Sequence, residues 1–160
     1  MKLAIAAIGL LKTGAEKQLA EDYNTRIQGL CKKAGFTSLA FHEWNESRLP
    51  EAALRGAEEA RQLWSVVPQG TPAVAMDERG GTMSSEAFAA FLAREAQDGA
   101  RQLTFLIGGP DGHAPETRKK AARLLAFGPM TWPHRLARVM LLEQIYRAVT
   151  ILVNHPYHRN

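Results

Sequence analysis

The stretch LTFLIGGPDGHAPE, residues 103–116, decides the fold of this chain. LTFLI is a continuous apolar run with no polar alternation, the pattern of a strand buried on both faces in the middle of a parallel sheet. Gly108 and Gly109 end that run, and Pro115 stands near a first helical position, where a missing N–H costs nothing. A strand, a glycine turn and a helix start therefore follow one another. The glycines let main chain approach a ligand closely, and the helix start adds a positive dipole end. The spacing fits neither the dinucleotide fingerprint nor the phosphate loop, which needs Gly-Lys-Ser/Thr, so the loop by itself is equally compatible with a structural turn.

The same alternation extends in both directions. Upstream, residues 2–8 read as a strand ended by Gly9, Thr13 as the cap of a helix reaching about residue 34, and Gly35 as its left-handed stop. Residues 36–44 form a second strand, residues 50–65 a helix opened by Pro50, and residues 73–77 a third strand after the turn VVPQGTP. Ser84 caps the next helix, with Glu86 in its first turn, and Gly99 ends it. Downstream come a helix from Pro115, a short strand over about 125–131 and a last helix over 134–153. Strands separated by helices throughout imply an α/β fold with a mostly parallel sheet and helices on both faces. Residues 1–160 fit one domain of that kind. Ligands of such sheets sit beyond the carboxyl ends of the strands, which directs attention to the loop after LTFLI and to the loop before the last helix.

That second loop, FGPMTWPH, joins Gly128, Pro129, Met130, Thr131, Trp132 and Pro133 with almost no ionisable group. Stiff main chain with Met130 and Trp132 as walls suits adenine or another flat apolar group; a rigid connector whose Trp132 fills core space is the alternative. The last helix, HRLARVMLLEQIYRAVTILV, is apolar around most of its circumference and must be buried on nearly all sides. A self-complementary dimer interface meets that demand more readily than a central core position in so small a chain.

Charge is uneven. Residues 1–80 carry ten Lys and Arg against ten Asp and Glu, and residues 81–160 ten against six, so the net +4 resides in the second half. One-sided positive charge favours polyanions through counterion release, although a solvated basic helix face has the same composition. The single cysteine, Cys31, falls in a helical apolar pattern and packs as a small apolar residue, which suits a reducing cytoplasm. No apolar run approaches a membrane span, and the protein is expected to be soluble and cytoplasmic. A metal site is not expected, because Pro156 keeps His155 and His158 off one helical face and no cysteine lies near; a nucleophile elbow is missing as well.

The chain ends in NHPYHRN, residues 154–160, where two histidines, a tyrosine and an arginine crowd a segment that ordinarily frays. Together LTFLIGGPDG, FGPMTWPHRLARVMLLEQIYRA and NHPYHR resemble the ribosomal RNA large subunit methyltransferase H family, of the knotted SPOUT methyltransferase superfamily. The resemblance covers nearly the whole chain, loosely at AIG and EDYNTR and strongly over the last 58 residues. It implies a C-terminal deep trefoil knot, a homodimer, S-adenosyl-L-methionine as cofactor, and methylation of N3 of a pseudouridine in 23S ribosomal RNA of the assembled ribosome.

Carried over position by position, the resemblance implies cofactor binding by Met76, Gly109, Gly128, Pro129, Met130, Thr131, Trp132 and Pro133. Met76 stands where the family usually has leucine, and Trp132 where a smaller aliphatic residue or phenylalanine is common. The tail of the neighbouring subunit would then close over the methyl group, with His155, Tyr157, His158 and Arg159 on the catalytic side. The N3 imide must lose a proton, and the base among them stays open. His134 and Arg138 are reserves for the substrate side, and Arg118, Lys119, Lys120 and Arg123 a candidate RNA-backbone surface. The competing reading is a non-catalytic nucleotide-binding or ribosome-associated module; a flavodoxin-like redox protein is disfavoured by the missing phosphate fingerprint.

Overall fold

The computed structural model describes residues 1–158. Five strands, β1 (Lys2–Ile8), β2 (Leu39–Trp44), β3 (Ala73–Gly81), β4 (Gln102–Ile107) and β5 (Arg123–Leu125), form one sheet in the order β2-β1-β4-β3-β5. Every pairing is parallel, with Ile5 opposite Phe41 and Phe105, and Val74 opposite Phe105. β4 lies in the middle and is buried at all of its positions, as its unbroken apolar run requires.

Because side chains alternate along a strand, the sheet carries two cores. Leu3, Ile5, Leu103, Phe105 and Val74 point to one face, where α1 (Ala15–Cys31), α3 (Ser85–Gln97) and α5 (His134–Leu152) cover them. Ala6, Ile8, Ala75 and Leu106 point to the other, under α2 (Ala52–Trp64), with Ala121 and Leu124 beyond α4 (Pro115–Lys120) packed at its edge. Helices thus sit on both faces. Cys31 is buried in the first core, and burial raises its thiol pKa, as suits an inert packing residue.

Four expectations are corrected. α1 begins after Gly14, whose φ of 102° and lack of a side chain leave no capping bond, so Thr13 is not the cap. β3 runs four residues beyond Asp77, to Gly81, because its far end re-pairs with β5 across a register shift between Met76 and Gly81. The strand expected over 125–131 is instead β5, ending at Leu125: Gly128 has φ 115° and Pro129 lacks an N–H, so no ladder continues there. Finally, α5 finds most of its burial inside the chain, between α1 and α3, so its apolar circumference does not by itself require a second copy. Ser84 does cap α3, its hydroxyl accepting from Ala87 N at 3.1 Å.

Candidate functional site

The carboxyl ends of β3, β4 and β5 open into a cleft of about 700 Å³. Ile107 and Leu125, which end β4 and β5, and Met76 of β3 form its floor; residues 108–113 make one wall and residues 126–128 and 130–134 the other. Of the eight positions expected to bind cofactor, Met76, Gly109, Gly128, Met130, Thr131, Trp132 and Pro133 line this one cleft. Pro129 is exposed and stands outside the lining. Met130 is 69% exposed and Trp132 39%, so Trp132 does not fill core space; it edges the cleft.

The first wall folds back on itself. Gly112 N donates to Gly109 O at 2.9 Å, and Gly112 takes φ 73°. A Cβ on Gly108 would stand 2.9 Å from Gly112 C, and one on Gly109 would stand 3.0 Å from Ile8 Cγ2 and 3.1 Å from Glu59 Oε2. A side chain at Gly108 would run into the loop's own main chain, and one at Gly109 would press on β1 and α2. In the second wall Gly128 is needed for its positive φ. Thr131 Oγ1 donates to Glu78 Oε2 at 2.6 Å, tying this wall to the far end of β3.

Several polar lining residues escaped the sequence reading. Asp77, Glu78 and Arg79 follow Met76 directly at the end of β3, a placement that the carboxyl-end rule could have flagged. His113 is 5% exposed, its Nε2 at 3.2 Å from Leu106 O and its Nδ1 buried without a partner. Leu106 O can only accept, so Nε2–H is the donor; burial lowers the pKa of the ring, against opposing pulls from Asp77 and the Leu106 carbonyl. Arg118 belongs to the cleft wall, donating to His113 O and lying 3.8 Å from Asp77. The basic surface expected on α4 is also partly engaged elsewhere, with Lys120 4.0 Å above the Trp64 ring and Arg123 5.2 Å from that of Phe91. Lys119 remains exposed.

His134 sits at the mouth of the cleft, 3.5 Å from Glu46, with its pKa lowered mainly by burial. Arg138 does not face a substrate side: it is 0% exposed, donating to Gly9 O at 2.7 Å, to Ile8 O at 3.2 Å and to Glu43.

Of the tail residues, the three described, His155, Tyr157 and His158, do not line this cleft within one chain. Tyr157 packs on Tyr146 at 4.7 Å between ring centroids, its hydroxyl donates to Glu143 Oε1 at 3.3 Å, and Arg147 lies over its ring. Burial, with Tyr23 and Glu143 nearby, pushes its pKa up to about 12, so it is a phenol and a donor at neutral pH. His158 Nε2 lies 3.2 Å from Glu86, and exposed His155 accepts from Tyr157 N on Nδ1, which leaves Nε2 to carry its proton. Arg159 lies outside the described residues. Glu143, unmarked by the sequence reading, is the hub of this group, also accepting from Arg147 at 2.6 Å and from Gln144 at 2.6 Å. It lines a second cavity of about 540 Å³ that shares residues 125–128 with the cleft.

Among the described residues no cluster of three or more His, Cys, Asp or Glu is placed to hold a metal ion, and no helix is long and apolar enough to cross a membrane.

The fold is similar to that of a probable methyltransferase from Bordetella pertussis Tohama I. The two superpose with a TM-score of 0.51 over 92% of this chain and 95% of that one; at 12% identity this likeness concerns the fold alone. The family model described as predicted SPOUT methyltransferase matches residues 1–158, which gives the class of protein. Proteins called ribosomal RNA large subunit methyltransferase H from Rhodopseudomonas palustris strains HaA2 and ATCC BAA-98 / CGA009 are 51% and 52% identical over 159 residues, and the one from Bradyrhizobium diazoefficiens is 49% identical, with 99% of each chain covered. The chain belongs to the ribosomal RNA large subunit methyltransferase H family.

Proposed function

We propose that this protein is an S-adenosyl-L-methionine-dependent methyltransferase that methylates N3 of a pseudouridine in 23S ribosomal RNA within the assembled ribosome. The reading includes a single SPOUT domain over residues 1–160 with a C-terminal trefoil knot, a cytoplasmic homodimer, and a site that each subunit's tail completes in its neighbour. The observation that carries it is the convergence of seven positions, separated by up to 57 residues from Met76 to Pro133, on one cleft.

The donor set suits an adenosyl compound. The cleft volume lies in the ~300–1,000 Å³ range of small-molecule sites. Main-chain groups of both walls can read the edge of a flat ring, Met76, Ile107 and Leu125 give it an apolar floor, and Asp77 and Glu78 oppose positive charge. When bound, the cofactor supplies an electrophilic methyl group on a sulfonium. The chain's contribution is alignment, exclusion of water and handling of the N3 proton.

Around the tail, the group placed to accept that proton is Glu143 on α5. His155 Nδ1 is held by Tyr157 N–H, so in this arrangement its free Nε2 is a donor. Glu143 is a carboxylate supported by Arg147, with the Tyr157 phenol donating to it. An imide anion at N3 would be favoured by the Arg147 guanidinium nearby. In a single chain this group lies away from the cleft, and a second subunit is the means by which the reading joins them.

Transfer of radiolabelled methyl from S-adenosyl-L-methionine into intact ribosomes, followed by mapping of the labelled nucleoside, tests the proposal. Label on N3 of a pseudouridine in large-subunit RNA is the expected result. Cofactor binding without transfer to ribosomes or free RNA would leave the non-catalytic module as the reading.

A further inference from the structure

We propose that Arg138 is a positioning residue that sets the cofactor affinity of the cleft from outside it, by locking the start of α5 onto the carboxyl ends of β1 and β2; this rests on the cofactor reading above. A buried guanidinium is costly to desolvate, and an apolar side chain would pack as well. What an apolar side chain lacks is a donor fork wide enough to reach two main-chain carbonyls and a carboxylate together. Arg138 does reach them: Ile8 O and Gly9 O, where β1 runs out, and Glu43 on β2.

The clamp matters because of what lies just before it. α5 starts at His134 after Pro133 with no side-chain capping bond, so its first turn is closed locally only by the main chain, Ala137 N donating to Pro133 O at 2.9 Å. Pro133 also belongs to the cleft wall, which among the described residues is tied to β3 by the exposed Thr131–Glu78 bond. One turn before Arg138, His134 packs on Gly9 so closely that a Cβ there would stand 2.6 Å from its Nε2, and it faces Glu46. Arg138 and His134 together therefore hold the wall in register with the strand ends.

The segment they grip reaches the opposite wall as well. Ser47 N donates to Glu59 Oε1 at 3.0 Å, and the Glu59 carboxylate backs Gly109. Residues 43–47, which do not line the cleft, thus buttress both of its sides, with Arg138 as the tie on the α5 side.

The test compares wild type, R138K and E43A by circular dichroism, by hydrogen exchange without ligand, and by calorimetry with S-adenosyl-L-methionine. Lysine keeps the charge but cannot span all three acceptors, and Glu43 is partly exposed, so E43A removes one acceptor of the clamp and leaves Arg138 its two main-chain carbonyls. Expected are a roughly 10-fold loss of cofactor affinity in R138K and a smaller loss in E43A. Exchange should quicken over residues 128–137 and stay unchanged in β4. In turnover assays the KM for S-adenosyl-L-methionine should rise while that for ribosomes holds. Folded variants that bind within about twofold of wild type, or exchange that rises evenly across the sheet, would overturn the inference and leave Arg138 a purely structural residue. If R138K does not fold, E43A decides. Wild-type protein that fails to bind the cofactor would sink the cofactor reading instead, and the exchange comparison would still report whether the clamp anchors the wall.

Discussion

Replacing Gly109 by alanine tests the cleft where its glycine loop packs on β1 and α2. Gly109 is not in the left-handed region, so backbone strain plays no part and the effect is steric. The new methyl carbon would meet Ile8 Cγ2 at 3.0 Å and the two Glu59 carboxylate oxygens at 3.1 and 3.3 Å, against the ~3.5–4.0 Å of an unstrained contact. Neither neighbour yields easily: Ile8 is 0% exposed in β1, and Glu59 is 4% exposed and held by Ser47 N. Overpacking of this kind costs about 1–3 kcal/mol. The softer partner is the loop 108–113, which would be displaced toward the cleft. A shift of a few tenths of an ångström there should weaken S-adenosyl-L-methionine binding by about 10-fold, since site geometry is sensitive on that scale. Urea denaturation reads the first quantity and calorimetry the second. Removing the obstruction with E59A should return part of the loss, giving a coupling of about 1 kcal/mol between the two positions in a double-mutant cycle. G109A with unchanged stability and affinity, or strict additivity with E59A, would refute the placement of this loop.

Gly80 is a stronger steric case, because its Cβ would stand 2.5 Å from Leu124 C and Leu125 N, main-chain atoms that cannot swing aside. G80A should cost about 3 kcal/mol or more by urea denaturation, whereas G81A, which meets nothing within 4 Å, should stay within about 0.5 kcal/mol. For His113, burial lowers the folded-state pKa, so between that value and the ordinary ~6.5 the unfolded chain binds the extra proton. Stability is then lost as pH falls through the unfolded value, and H113Q should flatten the slope of stability against pH between about 5 and 7. Truncation after Asn154 removes the Tyr157 contacts with Tyr146 and Glu143. It should abolish methyl transfer while leaving cofactor binding within about twofold by calorimetry; retained turnover would take the tail out of the mechanism.

Most of the architecture was legible because helix and strand signals are local. The apolar run of β4, the alternation of strands with helices, the Ser84 cap and the stops at Gly35 and Gly99 each depend on residues close together in the chain. Expectations failed where an element's length is set by a distant partner: β3 outran its apolar segment because β5 re-pairs with its end, and β5 stopped early because Gly128 and Pro129 prevent a ladder.

Sequence by itself determined that the chain would build a parallel sheet with two glycine-rich loops at its carboxyl ends, since periodicity and turn chemistry are written in short stretches. Only the tertiary structure decided which side chains those loops would meet. Arg138 is buried on carbonyls 130 and 129 positions away, Arg118 turns into the cleft wall instead of the solvent, and Gly109 is pressed by Ile8 of β1 and Glu59 of α2. A side chain's partners are chosen by packing between elements far apart in the chain, and no local pattern carries that information.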